Sequence, residues 1–101
     1  MQTRKFYVYI LTNKINGTLY IGITGDLIER TEQHKKKEIK GFTKKYNLTR
    51  LVYYEIYENP QDAIYREKQL KKWKRQWKLE LIEKENRDWR DLYFQISTLE
   101  E

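Results

Sequence analysis

Two runs rich in aromatic and β-branched residues, 5–12 (KFYVYILT) and 18–23 (TLYIGI), flank the pair Asn16-Gly17. An Asn-Gly pair tolerates positive φ at both positions and is a strong hairpin signal. The flanking alternation is that of strands. The first quarter of the chain is thereby committed to an antiparallel hairpin. If Asn16-Gly17 forms a two-residue turn, Ile15 faces Thr18. Odd residues of the first strand then share a face with even residues of the second. Tyr9, Tyr20 and Gly22 point to one side of the sheet.

Downstream, helical and strand patterns alternate. Thr24 is predicted as an N-cap, with Asp26 and Glu29 in the first turn of a helix over 26–37. A loop follows around Gly41, and residues 49–57 (TRLVYYEIY) form a third strand. Asn59-Pro60 then interrupts the chain, and Pro60 suits a first helical turn. The next helix runs from Gln61 to Trp77, with an apolar stripe of Ala63, Ile64, Leu70, Trp73 and Trp77. Residues 78–85 continue it or follow a kink. Trp89 and Leu92 are expected to pack a short final helix, with fraying after Ile96. This order predicts an α+β fold, a small three-stranded antiparallel sheet flanked by helices. A chain of 101 residues fits a single domain.

Composition narrows the partners. The 21 residues from Leu81 onward carry three basic and six acidic groups, whereas the 80 before them carry 18 and nine. A basic body with an acidic tail fits a polyanionic partner, and solubility alone would also explain it. There is no Cys, so disulfides and thiolate metal sites are excluded. No run is long and apolar enough to cross a membrane, and the polar start Met1–Lys5 is no signal peptide. The expectation is a cytoplasmic protein.

Five residues are candidates for chemistry: Tyr9, Tyr20, Arg30, His34 and Glu67. The two tyrosines lie beside Gly22, and a mid-strand Gly often marks close approach by a ligand or backbone. Tyrosines also simply pack well in strands. Arg30 and His34 are four apart, hence neighbours on one helix face. A guanidinium suits phosphate through two parallel hydrogen bonds. His34 is either part of that face or a surface residue opening the run Lys35-Lys36-Lys37. Glu67 flanks the apolar stripe, where a carboxylate needs a metal, a hydrogen bond or a neighbouring Lys. With one His and no Cys, any metal site is mostly oxygen, which favours a hard ion such as Mg²⁺. Lys71, Lys72 and Arg75 belong to a basic ridge interleaved with Trp73 and Trp77. Such a ridge either tracks a phosphate backbone or is a solvated face over buried tryptophans.

Taken together, these residues resemble the GIY-YIG nuclease domain, specifically its small stand-alone bacterial group. The first half-motif is Tyr7-Val8-Tyr9, with Tyr7 where the family has Gly. The second, Tyr20-Ile21-Gly22, is intact. Arg30 matches the following Arg, and the step from Arg30 to His34 is similar to the homing-endonuclease branch. Glu67, within Ala63-Ile64-Tyr65-Arg66-Glu67, matches the metal-binding Glu, and Asn86 is aligned with a late Asn of the domain. Ile23 stands where the excision-repair branch has Lys. The resemblance covers residues 5–92.

It implies DNA as substrate and phosphodiester hydrolysis by in-line attack of water, with one Mg²⁺ or Mn²⁺ on Glu67. Arg30 would stabilise the transition state. Gly22, Lys71, Lys72 and Arg75 would contact the nucleic acid. Tyr20 or Tyr9 would orient or deprotonate the water. Ionising an ordinary Tyr at pH 7 costs about 4 kcal/mol, which a metal and Arg30 would lower. His34 needs no such help at an ordinary pKa near 6.5. Tyr20 is the preferred base, with His34 assisting. A structure-selective role in repair or recombination, as a monomer or weak dimer, fits a small module without an appended specificity domain. Two alternatives are a catalytically weak nucleic-acid-binding module and a protein-interaction domain with a solvated basic face.

Overall fold

In the computed structural model, which describes residues 4–98, β1 (Phe6–Thr12) and β2 (Leu19–Thr24) form the hairpin. Strand β3 (Arg50–Tyr57) joins the free side of β1, giving the order β2-β1-β3 with every pairing antiparallel. The fold is α+β, a three-stranded antiparallel sheet flanked by helices.

The hairpin does not close on a two-residue turn. Its ladder ends at Thr12 and Leu19, and Tyr9 faces Gly22. Side chains decide this. Asn13 Oδ1 accepts from the Thr18 amide at 3.1 Å, and the Gly17 amide donates to the Lys14 carbonyl at 2.9 Å. These bonds close residues 13–18 into a small loop, in which Asn16 alone of the pair takes positive φ, 58°. The register lies two residues from the expected one. An even shift leaves every side chain on its face, so Tyr9, Tyr20 and Gly22 remain together.

Because side chains alternate, the sheet has two buried faces. Val8 and Ile10 pack with Ala63, Leu70, Ile82 and Trp89 on one. Tyr9 and Leu11 pack with Leu27, Leu48, Leu51 and Ile96 on the other. On β3, Tyr53 pairs with Ile10 and Leu51 with Leu11, which leaves Val52 as a bulge. The bulge lets Val52 and Tyr53 both enter the first face.

Helix α1 (Leu27–Lys35) starts two residues later than the Thr24 cap would place it. Asp26 is the N-cap and accepts from the Glu29 amide at 3.1 Å, while Thr24 Oγ1 accepts from the Asp26 amide at 3.1 Å. Lys37, at φ 57°, ends the helix in the left-handed conformation. The expected loop around Gly41 contains a short helix, α2 (Phe42–Lys45). Helix α3 (Pro60–Lys72) has Asn59 as N-cap and Pro60 in its first turn.

The helix predicted through Trp77 stops at Lys72. Trp73 and Lys74 are extended, and α4 (Arg75–Glu85) begins anew. Neither a Gly nor a Pro marks this break. Trp73 instead leaves the helical path to pack on the first core and to meet Trp77 edge-on, with ring centroids 5.9 Å apart. The apolar stripe is narrower than expected. Ala63 and Leu70 are fully buried, but Ile64 and Trp77 are 43% and 47% exposed.

Trp89 lies before the final helix, α5 (Tyr93–Thr98), at φ 57°, and inserts its ring into the core under β1. Ile96 anchors α5 on the opposite face. The helix continues to Thr98, past the expected onset of fraying, and residues 99–101 lie outside the described residues.

Candidate active site

Tyr9 occupies the middle of the central strand, directly across from Gly22. Its ring lies over that glycine. A Cβ on Gly22 would sit 2.5 Å from both Cζ and Oη of Tyr9. The close approach that a mid-strand Gly signals is therefore made by a side chain of the same protein.

Two further rings complete a triangle on this face. Tyr20, from β2, lies 6.3 Å from Tyr9 between centroids, and His34, from α1, lies 5.8 Å from each. The aromatic line continues outward from Tyr20 through Phe42 to Tyr46, both on or beside α2 and both exposed.

His34 is not a surface residue. It is 3% exposed, with Nε2 3.0 Å from Tyr9 Oη and Nδ1 3.1 Å from Thr43 Oγ1. The charge run that follows it belongs to the helix end, where Lys36 and Lys37 turn outward. Burial, helped by the Arg30 charge, lowers the His34 pKa to about 4, so the ring is neutral at pH 7. Burial also raises the Tyr9 phenol well above its ordinary range. Tyr20 adds to that rise, Arg30 opposes it and Glu67 adds to it. Arg30 and Glu67 are thus both close enough for their charges to act on Tyr9.

Arg30 is half-buried on α1, and its guanidinium makes no ion pair or hydrogen bond among the described residues. Glu67, on α3, is paired with Lys71 one turn later, at 2.8 Å. Its side chain is 14% exposed, and that of Lys71 is 52% exposed, so the lysine can swing away into solvent. No three His, Asp or Glu side chains gather as metal ligands among the described residues. A metal here would have Glu67 as its protein ligand and complete its shell with water and substrate. One hard carboxylate fits the habit of Mg²⁺ or Mn²⁺, which keep several waters and share phosphate oxygens.

The remaining sequence candidates separate. Lys72 is exposed on α3. Arg75 donates from Nη2 to the carbonyls of Asn16 and Gly17, both at 2.7 Å, and so ties α4 to the hairpin loop. Asn86 is buried at the end of α4. Its Nδ2 donates to the Val52 and Arg90 carbonyls at 3.0 and 2.9 Å, and its Oδ1 accepts from the Arg90 amide at 3.0 Å. These bonds hold the 86–90 turn against β3. No local sequence signal marks Thr43, which lies in the segment expected as a loop and found as α2. Only its contact with His34, nine residues earlier, singles it out.

A family profile described as the GIY-YIG catalytic domain matches residues 5–80. A UPF0213 protein of Pediococcus pentosaceus is 38% identical over 79 residues, 78% of this chain and 82% of its own. One from Staphylococcus aureus is 38% identical over 76 residues, 75% of this chain and 92% of its own. The solution NMR structure of a UPF0213 protein from Bacillus halodurans has the same fold. It is 27% identical, with a TM-score of 0.52, over 81% of this chain and 86% of that one.

Proposed function

Given that the chain belongs to the GIY-YIG family of nuclease domains, we propose that it is a divalent-metal-dependent DNA endonuclease. The observation that carries this reading is the joining of Tyr9, Tyr20 and His34 in one cluster under the charges of Arg30 and Glu67. Four separate elements, β1, β2, α1 and α3, supply these five residues.

A phosphodiester must be met by positive charge and its attacking water must be oriented. Arg30, free of protein partners among the described residues, is available to a phosphate and its developing charge. Bound at Glu67, Mg²⁺ or Mn²⁺ would supply Lewis-acid neutralisation of the phosphate. Tyr20, half-buried beside His34, orients or deprotonates the water. Burial keeps Tyr9 protonated, which suits a hydrogen-bond donor better than a base. His34, neutral and enclosed, supports Tyr9 and does not titrate near pH 6.5. Gly22 keeps Tyr9 in place, and Lys71, Lys72 and Arg75 follow the DNA backbone. Asn86 anchors the scaffold. In this reading the protein acts in the cytoplasm as a single domain, monomeric or weakly dimeric, on branched, nicked or single-stranded DNA in repair or recombination.

One observation favours a second reading, a nucleic-acid-binding module with weak catalysis. The Lys71 ammonium already neutralises Glu67. The two readings part in a cleavage assay on supercoiled plasmid and a panel of branched and single-stranded DNAs, with Mg²⁺, Mn²⁺ or EDTA, beside Glu67→Ala. Cleavage that needs metal and disappears in the variant supports the nuclease. Salt-sensitive binding without cleavage supports the module. Neither cleavage nor binding rejects both.

A further inference from the structure

Thr43, His34 and Tyr9 form a hydrogen-bonded chain with a fixed number of protons. His34 is neutral, so its ring carries one N–H, and each hydroxyl carries one O–H. Three protons serve two hydrogen bonds, Thr43 Oγ1···Nδ1 at 3.1 Å and Nε2···Tyr9 Oη at 3.0 Å. One proton is therefore left over, and it sits at one end of the chain or the other.

The two ends are not equivalent. If Nδ1 carries the ring proton, Tyr9 donates to Nε2 and the spare proton lies on Thr43. Thr43 as a whole is 5% exposed, and its hydroxyl has no second partner among the described residues. A buried donor left without an acceptor is costly. If Nε2 carries the ring proton, Thr43 donates to Nδ1, and Tyr9 accepts from Nε2. The spare proton then lies on Tyr9, the end of the chain on which the Arg30 and Glu67 charges act. A hydroxyl proton there is favoured by a carboxylate or by an arriving phosphate oxygen.

We propose that Thr43 is a positioning residue: its hydroxyl donates to Nδ1 and fixes His34 as the Nε2–H tautomer, so that Tyr9 offers its O–H as a donor to an oxygen bound in the site. The role assigned to that oxygen, a substrate phosphate or its attacking water, rests on the nuclease reading. The proton order does not. It follows from the count and from the burial of Thr43.

His34 is the only histidine, so its ring can be observed alone. The full chain, labelled with ¹⁵N-histidine, is examined at pH 7.5 by long-range ¹H–¹⁵N correlation, which identifies the protonated nitrogen without any substrate. The expected result is a protonated Nε2 and an unprotonated Nδ1 in the wild type and in Thr43→Ser. In Thr43→Val, which cannot donate, the pattern should shift toward a mixture or toward Nδ1–H. A wild type with Nδ1–H overturns the proposal, as does a folded Thr43→Val with an unchanged ring spectrum. Should Thr43→Val fail to fold, the wild-type spectrum still decides the tautomer, and Thr43→Ser against Thr43→Ala decides the donor. In a chain that cleaves DNA, the valine variant should lower kcat by roughly tenfold or more with KM little changed, and serine should restore it. Absence of cleavage in the wild type rejects the nuclease reading and leaves the spectroscopic test intact.

Discussion

Replacing Gly22 by Ala adds one methyl group where the Tyr9 ring lies, and opposing effects can be weighed. Alanine is the better strand residue, which favours the variant by about 0.5–1 kcal/mol. Against this, its Cβ would stand 2.5 Å from Tyr9 Cζ and Oη, where carbon atoms settle at about 3.5–4.0 Å. The ring must retreat by about 1 Å, and it is 2% exposed in a packed core. Overpacking of this kind costs about 1–3 kcal/mol. A retreat of that size also breaks the 3.0 Å bond to His34, costing about 1 kcal/mol more. The balance is a loss of about 1–3 kcal/mol. Urea denaturation reads it directly, and each kcal/mol should lower Tm by about 4–8 °C in a chain of this size. Shortening the ring supplies the control. In a Tyr9→Leu background the same Gly22→Ala change should cost less than about 1 kcal/mol, because the clashing atoms are gone. An alanine variant as stable as the wild type, or equal costs in both backgrounds, would refute the claim that Gly22 exists to admit Tyr9.

Three further outcomes can be checked. His34 has a folded pKa of about 4 against an unfolded value near 6.5, so the unfolded chain binds more protons between those limits. Stability from this group is complete above about pH 6.5 and falls by about 3 kcal/mol as the pH drops to about 4; urea midpoints at pH 7.5 and 4.5 should diverge more in wild type than in His34→Gln, and parallel lines for the two would contradict it. Asn86→Ala removes three hydrogen bonds and strands the buried Val52 carbonyl, so it should cost about 2–4 kcal/mol in denaturant titrations, with a value under about 1 kcal/mol ruling out an anchoring role. Neutralising Lys72 should weaken DNA binding evenly across sequences and reduce the slope of log K against log salt by about 1; an unchanged slope would remove α3 from the interface.

The site was legible where local chemistry alone decides geometry. Strand alternation placed Tyr9, Tyr20 and Gly22 on one face, and helical spacing placed Arg30 beside His34. These relations survive any even change of register. What was not legible depends on partners distant in sequence. The hairpin register turns on Asn13 closing its own loop and on Arg75 holding the Asn16 and Gly17 carbonyls. The end of α3 turns on Trp73 finding the core, with no breaker residue to announce it. His34 reads as a surface group because the lysines after it dominate the local pattern, although its inward face is set by Thr31 and Leu27, one and two turns earlier. Asn86, aligned in the sequence with a late Asn of the family domain, bonds Val52 and Arg90, contacts that no local pattern announces.

Family likeness and folding do not share a border in this molecule. The matched segment stops at residue 80, inside α4, yet the core beneath β1 is filled from beyond that point by Ile82 and Trp89. Asp91 then bonds Lys35 and the Leu51 amide, while the Leu92 amide bonds the Leu51 carbonyl at 2.7 Å. A chain cut at the edge of the recognisable motif would keep all five residues of the candidate site and leave an indole-sized hole under the strand that carries Tyr9. A relative without this segment would have to fill the same volume with other side chains, so the stretch outside the motif is where stability is expected to vary independently of the candidate site.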